Sequence, residues 1–347
     1  MSKRKAERIL SVLLLFCVAC LMGCSSSGEW TQEQEETEVY AFVTKSEGNP
    51  YFELMAEGFS EVVEQEGGNC IISNPDDTTA EAQIEAINEL ISQNVDGIAV
   101  AANDADALSE VLEEASEQGI HITTVDSDVN IEDREIFVNQ AASEEIAEVL
   151  VEAVYDLCGG SGQWAILSAS SQATNQNTWI YAMKEVLEEE KYQDLRLVDI
   201  VYGNDETELS AELTEELLVT YPDLKVICAP TVVGLAAVAQ VLSEQEDTQV
   251  KATGLGLPSD MADYVLSEDS VCPYLFLWNP IDLGQMSAYV LIALTNGEIN
   301  GEAGESFQAG DMGSFLVEES ENGGLEVIVD GPIRFDDTNI NEWKELF

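Results

Sequence analysis

Three amides and an indole stand together in Leu167–Tyr181, whose sequence is LSASSQATNQNTWIY. Asn175, Gln176 and Asn177 each carry a donor and an acceptor, which is what a polyhydroxylated ligand needs. Trp179 adds a flat apolar face for the C–H side of the same ligand. Amide-rich turns before helices are also ordinary caps. The stretch therefore gains weight only from what the chain places at comparable positions.

Comparable positions exist. Lys45 and Phe52 follow the apolar run Val39–Val43, and Asp126 follows His121–Val125. Pro230, Thr231 and Val232 follow Cys228-Ala229, while Trp278, Asn279 and Asp282 follow the run ending at Leu277. Each group sits where an apolar strand pattern gives way to a helical one. In open α/β sheets that place, just past the carboxyl end of a strand, is where ligands bind. The set is one cation, several amides and carboxylates, and aromatic faces: a hydrogen-bonding cleft with apolar walls.

The elements that must position these residues follow from periodicity. Strands are expected at Val39–Val43, Cys70–Ser73, Gly97–Ala101, His121–Val125 and Ile136–Asn139, with helices at Tyr51–Gln65, Thr79–Asn94 and Ala105–Gln118 between them. The pattern restarts with a helix over Ser143–Leu157. Strands at Gln163–Leu167, Leu195–Val201, Lys225–Ala229, Lys251–Leu255 and Tyr274–Trp278 follow, with helices at Thr178–Glu189, Glu206–Thr220, Val233–Glu244 and finally Leu283–Thr295. Alternation of this kind predicts an α/β fold with parallel sheets covered on both faces. About 310 residues exceed one core, so two doubly wound lobes are expected. Phe315–Val317 and Leu325–Val329, separated by Asn322-Gly323-Gly324, read as a hairpin.

Enzymatic alternatives find little support. Lys45 could form a Schiff base with a carbonyl, and paired carboxylates could hydrolyse glycosides. However, the chain has a single histidine, His121, at the start of an apolar strand pattern. It offers no Ser/His/Asp or Cys/His set and no phosphate-cradling glycine loop. Cys70, Cys158, Cys228 and Cys272 lack metal-ligand spacing and read as free thiols, most of them in apolar strands. No metal and no cofactor is expected.

Residues 1–23 read as a lipoprotein signal peptide. Lys3, Arg4, Lys5 and Arg8 precede the apolar run Ile9–Met22, too short to span a bilayer. Leu21-Met22-Gly23-Cys24 looks like a lipobox, with Cys24 as the lipidated residue, and 24–38 form a Ser/Gly and acidic tether. The expected location is extracytoplasmic, anchored by lipid to the cell membrane. The chain has 13 Lys and Arg against 68 Asp and Glu. That balance excludes nucleic acid and anionic membrane surfaces as partners.

On the pieces Ala173–Trp179, Ala229–Gly234, Gly254–Ser259 and Trp278–Gly284, the chain from Val39 onward resembles the type I periplasmic binding proteins of ABC importers. Within them it is similar to the rhamnose-binding proteins and their relatives that bind autoinducer-2. The resemblance implies two lobes joined by a three-crossover hinge, 39–139 plus 279–299 and 140–278 plus 300–347. It also implies a monomer that captures a monosaccharide between the lobes and works with ABC permease subunits. Lys45, Asp126, Asn175, Gln176 and Asp282 would bond hydroxyls, while Phe52, Trp179 and Trp278 would pack on the ring. Lys45, Asp126, Gln176 and Pro230 match functional positions of both branches. Asn175, Thr231-Val232 and Asn279 stand where the autoinducer branch has Asp, Asp-Ala and Asp, and so lean toward rhamnose. The alternatives are an autoinducer-2-binding protein or a sensor subunit that reports ligand to a membrane receptor.

Overall fold

The computed structural model describes residues 37–246, 248–320 and 322–347. The signal, the lipobox cysteine Cys24 and all but the last two residues of the tether lie outside the described residues. Among the latter, no helix is long and apolar enough to cross a membrane.

The chain runs β1 (Val39–Val43), α1 (Pro50–Gln65), β2 (Asn69–Ser73), α2 (Ala80–Gln93), β3 (Gly97–Val100), α3 (Ala105–Glu117), β4 (His121–Val125) and β5 (Ile136–Asn139). These five strands are parallel, in the order β2-β1-β3-β4-β5. Successive side chains of a strand face opposite sides, and β1 uses both. Ala41 and Val43 pack with Ile87, Leu90 and Leu108 of α2 and α3. Tyr40 and Phe42 belong to the other core, with Met55 and Phe59 of α1.

The second half begins with α4 (Ser143–Cys158) and continues as β6 (Gly162–Ser168), α5 (Thr174–Val186), β7 (Leu195–Tyr202), α6 (Thr207–Thr220), β8 (Leu224–Ala229), α7 (Val232–Glu244), β9 (Lys251–Gly254), α8 (Pro258–Val265) and β10 (Tyr274–Leu277). Its parallel sheet has the order β7-β6-β8-β9. β10 lies beside β9 through a parallel bridge between Leu255 and Phe276.

Helix α9 (Pro280–Thr295) returns to the first half and lies against α1 at very short range. A Cβ on Gly284 would come within 1.9 Å of the Met55 carbonyl oxygen, and one on Gly58 within 2.2 Å of that of Ile281. Both positions therefore need glycine, because only its missing side chain lets the two backbones approach.

The tail departs from the expectation. β11 (Ser306–Gln308) pairs with β12 (Ser314–Leu316), so Phe315 faces Phe307 rather than the Leu325–Val329 run. The hairpin across Asn322-Gly323-Gly324 is β13 (Glu318–Glu319) with β14 (Leu325–Ile328), and β14 continues the first sheet beside β5. Only β15 (Ile333–Asp336), antiparallel to β10, and the short α10 (Ile340–Trp343) join the second half. Assigning all of 300–347 to the second lobe is thus corrected: 318–328 build the edge of the first sheet. An unpaired strand edge is available at β5, and β14 satisfies its backbone groups.

The chain passes between halves after β5, after β10 and after β14. The first and third passages lie side by side, Val329 N donating to Asn139 O at 2.9 Å and Asp330 N to Gln140 O at 3.2 Å.

Candidate functional site

A small cavity lies between the two halves, at the carboxyl ends of their strands. Lys45, just past β1, reaches it with only 7 % of its surface exposed. Its loop is held from beneath. The buried Gln83 amide donates to Thr44 O at 3.0 Å and Ala101 O at 2.7 Å, and it accepts from Asn103 N at 2.8 Å. Asn103 Nδ2 in turn donates to Lys45 O at 2.9 Å. With every one of these buried groups paired, the network fixes the lysine's backbone.

Asp126 follows β4 with φ +64°, a left-handed conformation uncommon outside glycine, asparagine and aspartate. Its carboxylate is 3.7 Å from Lys45 Nζ and accepts from the Tyr51 hydroxyl at 2.9 Å. Burial pushes its carboxyl up, opposed by the nearby Lys45 charge and the Tyr51 bond. Burial, with the Asp126 charge, holds the Tyr51 phenol well above its ordinary value, so Tyr51 stays a donor. The Trp278 indole donates to that phenol oxygen at 2.6 Å. A chain of bonds thus runs from β10's end to the floor of the cleft.

The second half contributes α5. This helix begins at Thr174, not at Thr178 as periodicity suggests, so Asn175 and Gln176 lie in its first turn. Asn175 reaches across the cleft. Its Nδ2 donates to Asp126 Oδ2 at 2.9 Å and to Asp126 O at 3.3 Å, and its Oδ1 accepts from Lys45 Nζ at 3.3 Å. Gln176 is buried and its Oε1 is already occupied by Ser168 Oγ at 2.6 Å and Ala169 N at 2.8 Å. What it presents to a ligand is its Nε2 donor. Asn177 takes no part, its amide bonding Ser171 O at 2.9 Å on the surface.

Aromatic walls complete the cavity. Trp179 and Trp278 are both buried and meet edge-to-face, centroids 5.8 Å apart. Phe52 lies edge-on to Tyr51 at 5.2 Å. Pro230 and Val232 line the cavity from the start of α7.

Two expected residues stand elsewhere. Asn279 caps α9, its Oδ1 accepting from Ile281 N at 3.0 Å. Asp282 lies in the first turn of that helix, and both line a separate crevice beside Gln140 and Asp330, where the passages between halves converge. Burial raises the Asp282 carboxyl, and the Asp330 charge adds to it. They belong to the hinge, not to the cleft wall, because capping and the helix's first turn commit their side chains there.

Two cleft residues escape a sequence reading. Tyr51 reads as a helix residue beside Pro50. Asp205 lies in the turn after β7, a strand-end position of the same kind as the others. Asn204 and Asp205 both have φ +54°, and the Thr231 hydroxyl bonds the Asp205 carboxylate. Asp205 keeps some accessible surface, yet protein surrounds it at the cleft floor, and burial raises its carboxyl. Among the described residues, no group of three or more His, Cys, Asp or Glu is placed to hold a metal. The four cysteines described are free, three of them buried.

Fold and site together define a two-lobed α/β binding protein with a polar, aromatic-walled cleft. The family model for the periplasmic binding protein domain matches residues 40–299, and the chain belongs to that family. It is therefore a binder and not an enzyme. An ABC transporter solute-binding protein of Clostridium phytofermentas with bound L-rhamnose is 49% identical, with a TM-score of 0.87 over 90% of this chain and 99% of that one. A sugar ABC transporter protein of Actinomyces odontolyticus is 35% identical, with a TM-score of 0.70 over 88% and 97%. The D-apiose import binding protein of Actinobacillus succinogenes is 25% identical over 65% of this chain and 70% of that protein. LsrB of Clostridium saccharobutylicum in complex with AI-2 shares the fold, with a TM-score of 0.82 at 23% identity over 88% and 99%.

Proposed function

We propose that the chain is the substrate-binding component of an ABC sugar importer and captures a neutral deoxyhexose of the L-rhamnose type by hinge closure. The observation that carries this reading is the convergence, on one cavity, of Lys45 and Asp126 from one half with Asn175 and Gln176 from the other. Only closure lets one ligand bond all four, so binding favours the closed form. Each net bond contributes about 0.5–1.5 kcal/mol, and about 1.5–3 when a charge takes part. Several such bonds with aromatic packing support micromolar or tighter capture. Two carboxylates, Asp126 and Asp205, face a single ammonium, which suits an uncharged sugar over a sugar acid. The 49% identity to the protein with bound L-rhamnose supports the choice of sugar.

The protein acts as a monomer, lipid-anchored through Cys24 at the outer face of the membrane, and delivers its sugar to permease subunits. Calorimetry with L-rhamnose and autoinducer-2 tests the ligand. Tighter binding of autoinducer-2 than of any hexose would overturn the sugar assignment.

A further inference from the structure

The wall of the cavity divides by strand. Polar groups reach it from beyond β1, β4 and β7 and from the first turn of α5: Lys45, Asp126, Asp205, Asn175 and Gln176. β8, β9 and β10 bring an apolar corner instead, made by Val232, Leu255 and Leu277. Pro230 adds to it and has no backbone N–H to offer.

These three strand ends are neighbours. Leu255 N donates to Ala229 O at 3.0 Å and Gly256 N to Phe276 O at 3.1 Å, so the residues closing β8, β9 and β10 stand side by side. Leu255 and Leu277 are buried, whereas Val232 is half-buried. The polar side chains beside the corner have no proton to spare. The Thr231 hydroxyl bonds the Asp205 carboxylate, and the Trp278 indole donates to the Tyr51 hydroxyl at 2.6 Å. A hydroxyl pressed into this corner would give up water and find no side-chain donor in exchange, which is unfavourable. A methyl group in the same place gains from leaving water.

We propose that this corner seats the methyl group of a 6-deoxy sugar, and that Val232, Leu255 and Leu277 select such a sugar over its 6-hydroxylated counterpart. The inference rests on the sugar-binding reading above and adds an orientation to it. A rhamnose-type ring carries hydroxyls on C1 to C4 and a methyl on C5, the same division that the cavity wall shows. Its hydroxyl edge turns to Lys45, Asp126, Asn175 and Gln176, and its methyl to the ends of β8, β9 and β10.

The test is calorimetry with three sugars that share their configuration at C2 to C4. L-rhamnose carries a methyl on C5, L-mannose a hydroxymethyl and L-lyxose only hydrogen. The wild type is expected to bind L-lyxose about fivefold more weakly than L-rhamnose, for the lost methyl burial. L-mannose should bind about tenfold more weakly or worse, for its unpaired hydroxyl. Val232→Thr, which places a hydroxyl in the corner at nearly unchanged shape, should cut the preference for L-rhamnose over L-mannose to about a third or less. Val232→Ala should shrink the advantage of L-rhamnose over L-lyxose. Both variants are read as ratios of affinities, so a general loss of binding does not imitate the effect, and the wild-type ratios decide independently of either variant's folding. L-mannose or L-lyxose binding as tightly as L-rhamnose to the wild type overturns the proposal. So do ratios that neither variant alters. A wild type that binds L-rhamnose without these preferences refutes the corner alone, whereas one that binds none of the three sugars refutes the sugar reading as well.

Discussion

The Asn175 amide, on the helix that opens the second half's contribution, donates to Asp126 of the first half at 2.9 Å. Asp126 in turn lies 3.7 Å from Lys45. A neutral amide can donate to a carboxylate, whereas a carboxylate in its place can only accept. Asn175→Asp would therefore set two acids against each other with one ammonium between them. L-rhamnose affinity should fall about tenfold, equivalent to about 1.4 kcal/mol. The preference for L-rhamnose over autoinducer-2 should narrow. Calorimetry with both ligands reads it, and an unchanged ratio would show that Asn175 does not discriminate.

Gln176 has divided duties. Its oxygen satisfies Ser168 Oγ and Ala169 N, which leaves its nitrogen as the end a ligand in the cavity it lines could use. Gln176→Ala should therefore lower thermal stability as well as affinity, since an unpaired buried group costs about 1–3 kcal/mol. Gln176→Glu keeps an acceptor for Ser168 and Ala169 but removes the donor. It should lose affinity with a smaller drop in melting temperature. Equal losses of stability in the two variants would contradict this division.

The Trp278–Tyr51–Asp126 chain can be followed optically. Ligand closing on Trp179 and Trp278 should change tryptophan emission. Trp278→Phe keeps a ring but removes the 2.6 Å bond to Tyr51. A smaller emission change and roughly 5- to 20-fold weaker sugar binding are expected, in line with about 1–2 kcal/mol for one buried hydrogen bond. An emission change equal to that of the wild type would place the reporter elsewhere.

Gly284→Ala tests the contact between α1 and α9. The new methyl group would come within 1.9 Å of the Met55 backbone oxygen, so the helices must separate. Overpacking of this kind costs about 1–3 kcal/mol or more. Calorimetric unfolding should show a melting temperature several degrees lower, at an unchanged fold by circular dichroism. A melting temperature within one degree of the wild type, about the noise of the method, would refute the tight contact.

Acidity should stabilise this protein before it destabilises it. Burial raises the Asp126, Asp205 and Asp282 carboxyls, so the folded state binds more protons than the unfolded one above the ordinary aspartate value of about 3.9. Their penalty is full above the raised folded values and is relieved as pH falls from there toward about 4. Glu152 and Asp336 run the other way. Lys191 lowers the first and Thr338 the second, so their contribution is lost as pH falls through their depressed values. Melting temperature should rise as pH falls through the raised values toward the ordinary aspartate value of about 3.9, and fall below it. Asp205→Asn should raise the melting temperature at pH 7 and flatten the rise. A steady decline from pH 7 downward would show that these buried acids do not govern stability.

The sequence alone determined the alternation of strands and helices, because the periods of 2 and 3.6 residues are local properties of the chain. It also placed Lys45, Asp126, Gln176 and Pro230, since each directly follows or closely trails an apolar strand and strand ends converge on the cleft. Tertiary structure decided the rest. Which partner a strand finds is a long-range choice: β14 pairs Glu326 with Phe137, far away in the chain, and so joins the first sheet. The same holds for side chains with more than one use. Asn279 satisfies its own helix's first turn and leaves the cleft, Gln176 keeps only one of its two polar ends for a ligand, and Asp205 enters the floor through two left-handed residues that no periodicity announces. Hydrogen-bonding capacity is written in the residue type, but where it is used depends on which other groups folding brings within 3 Å.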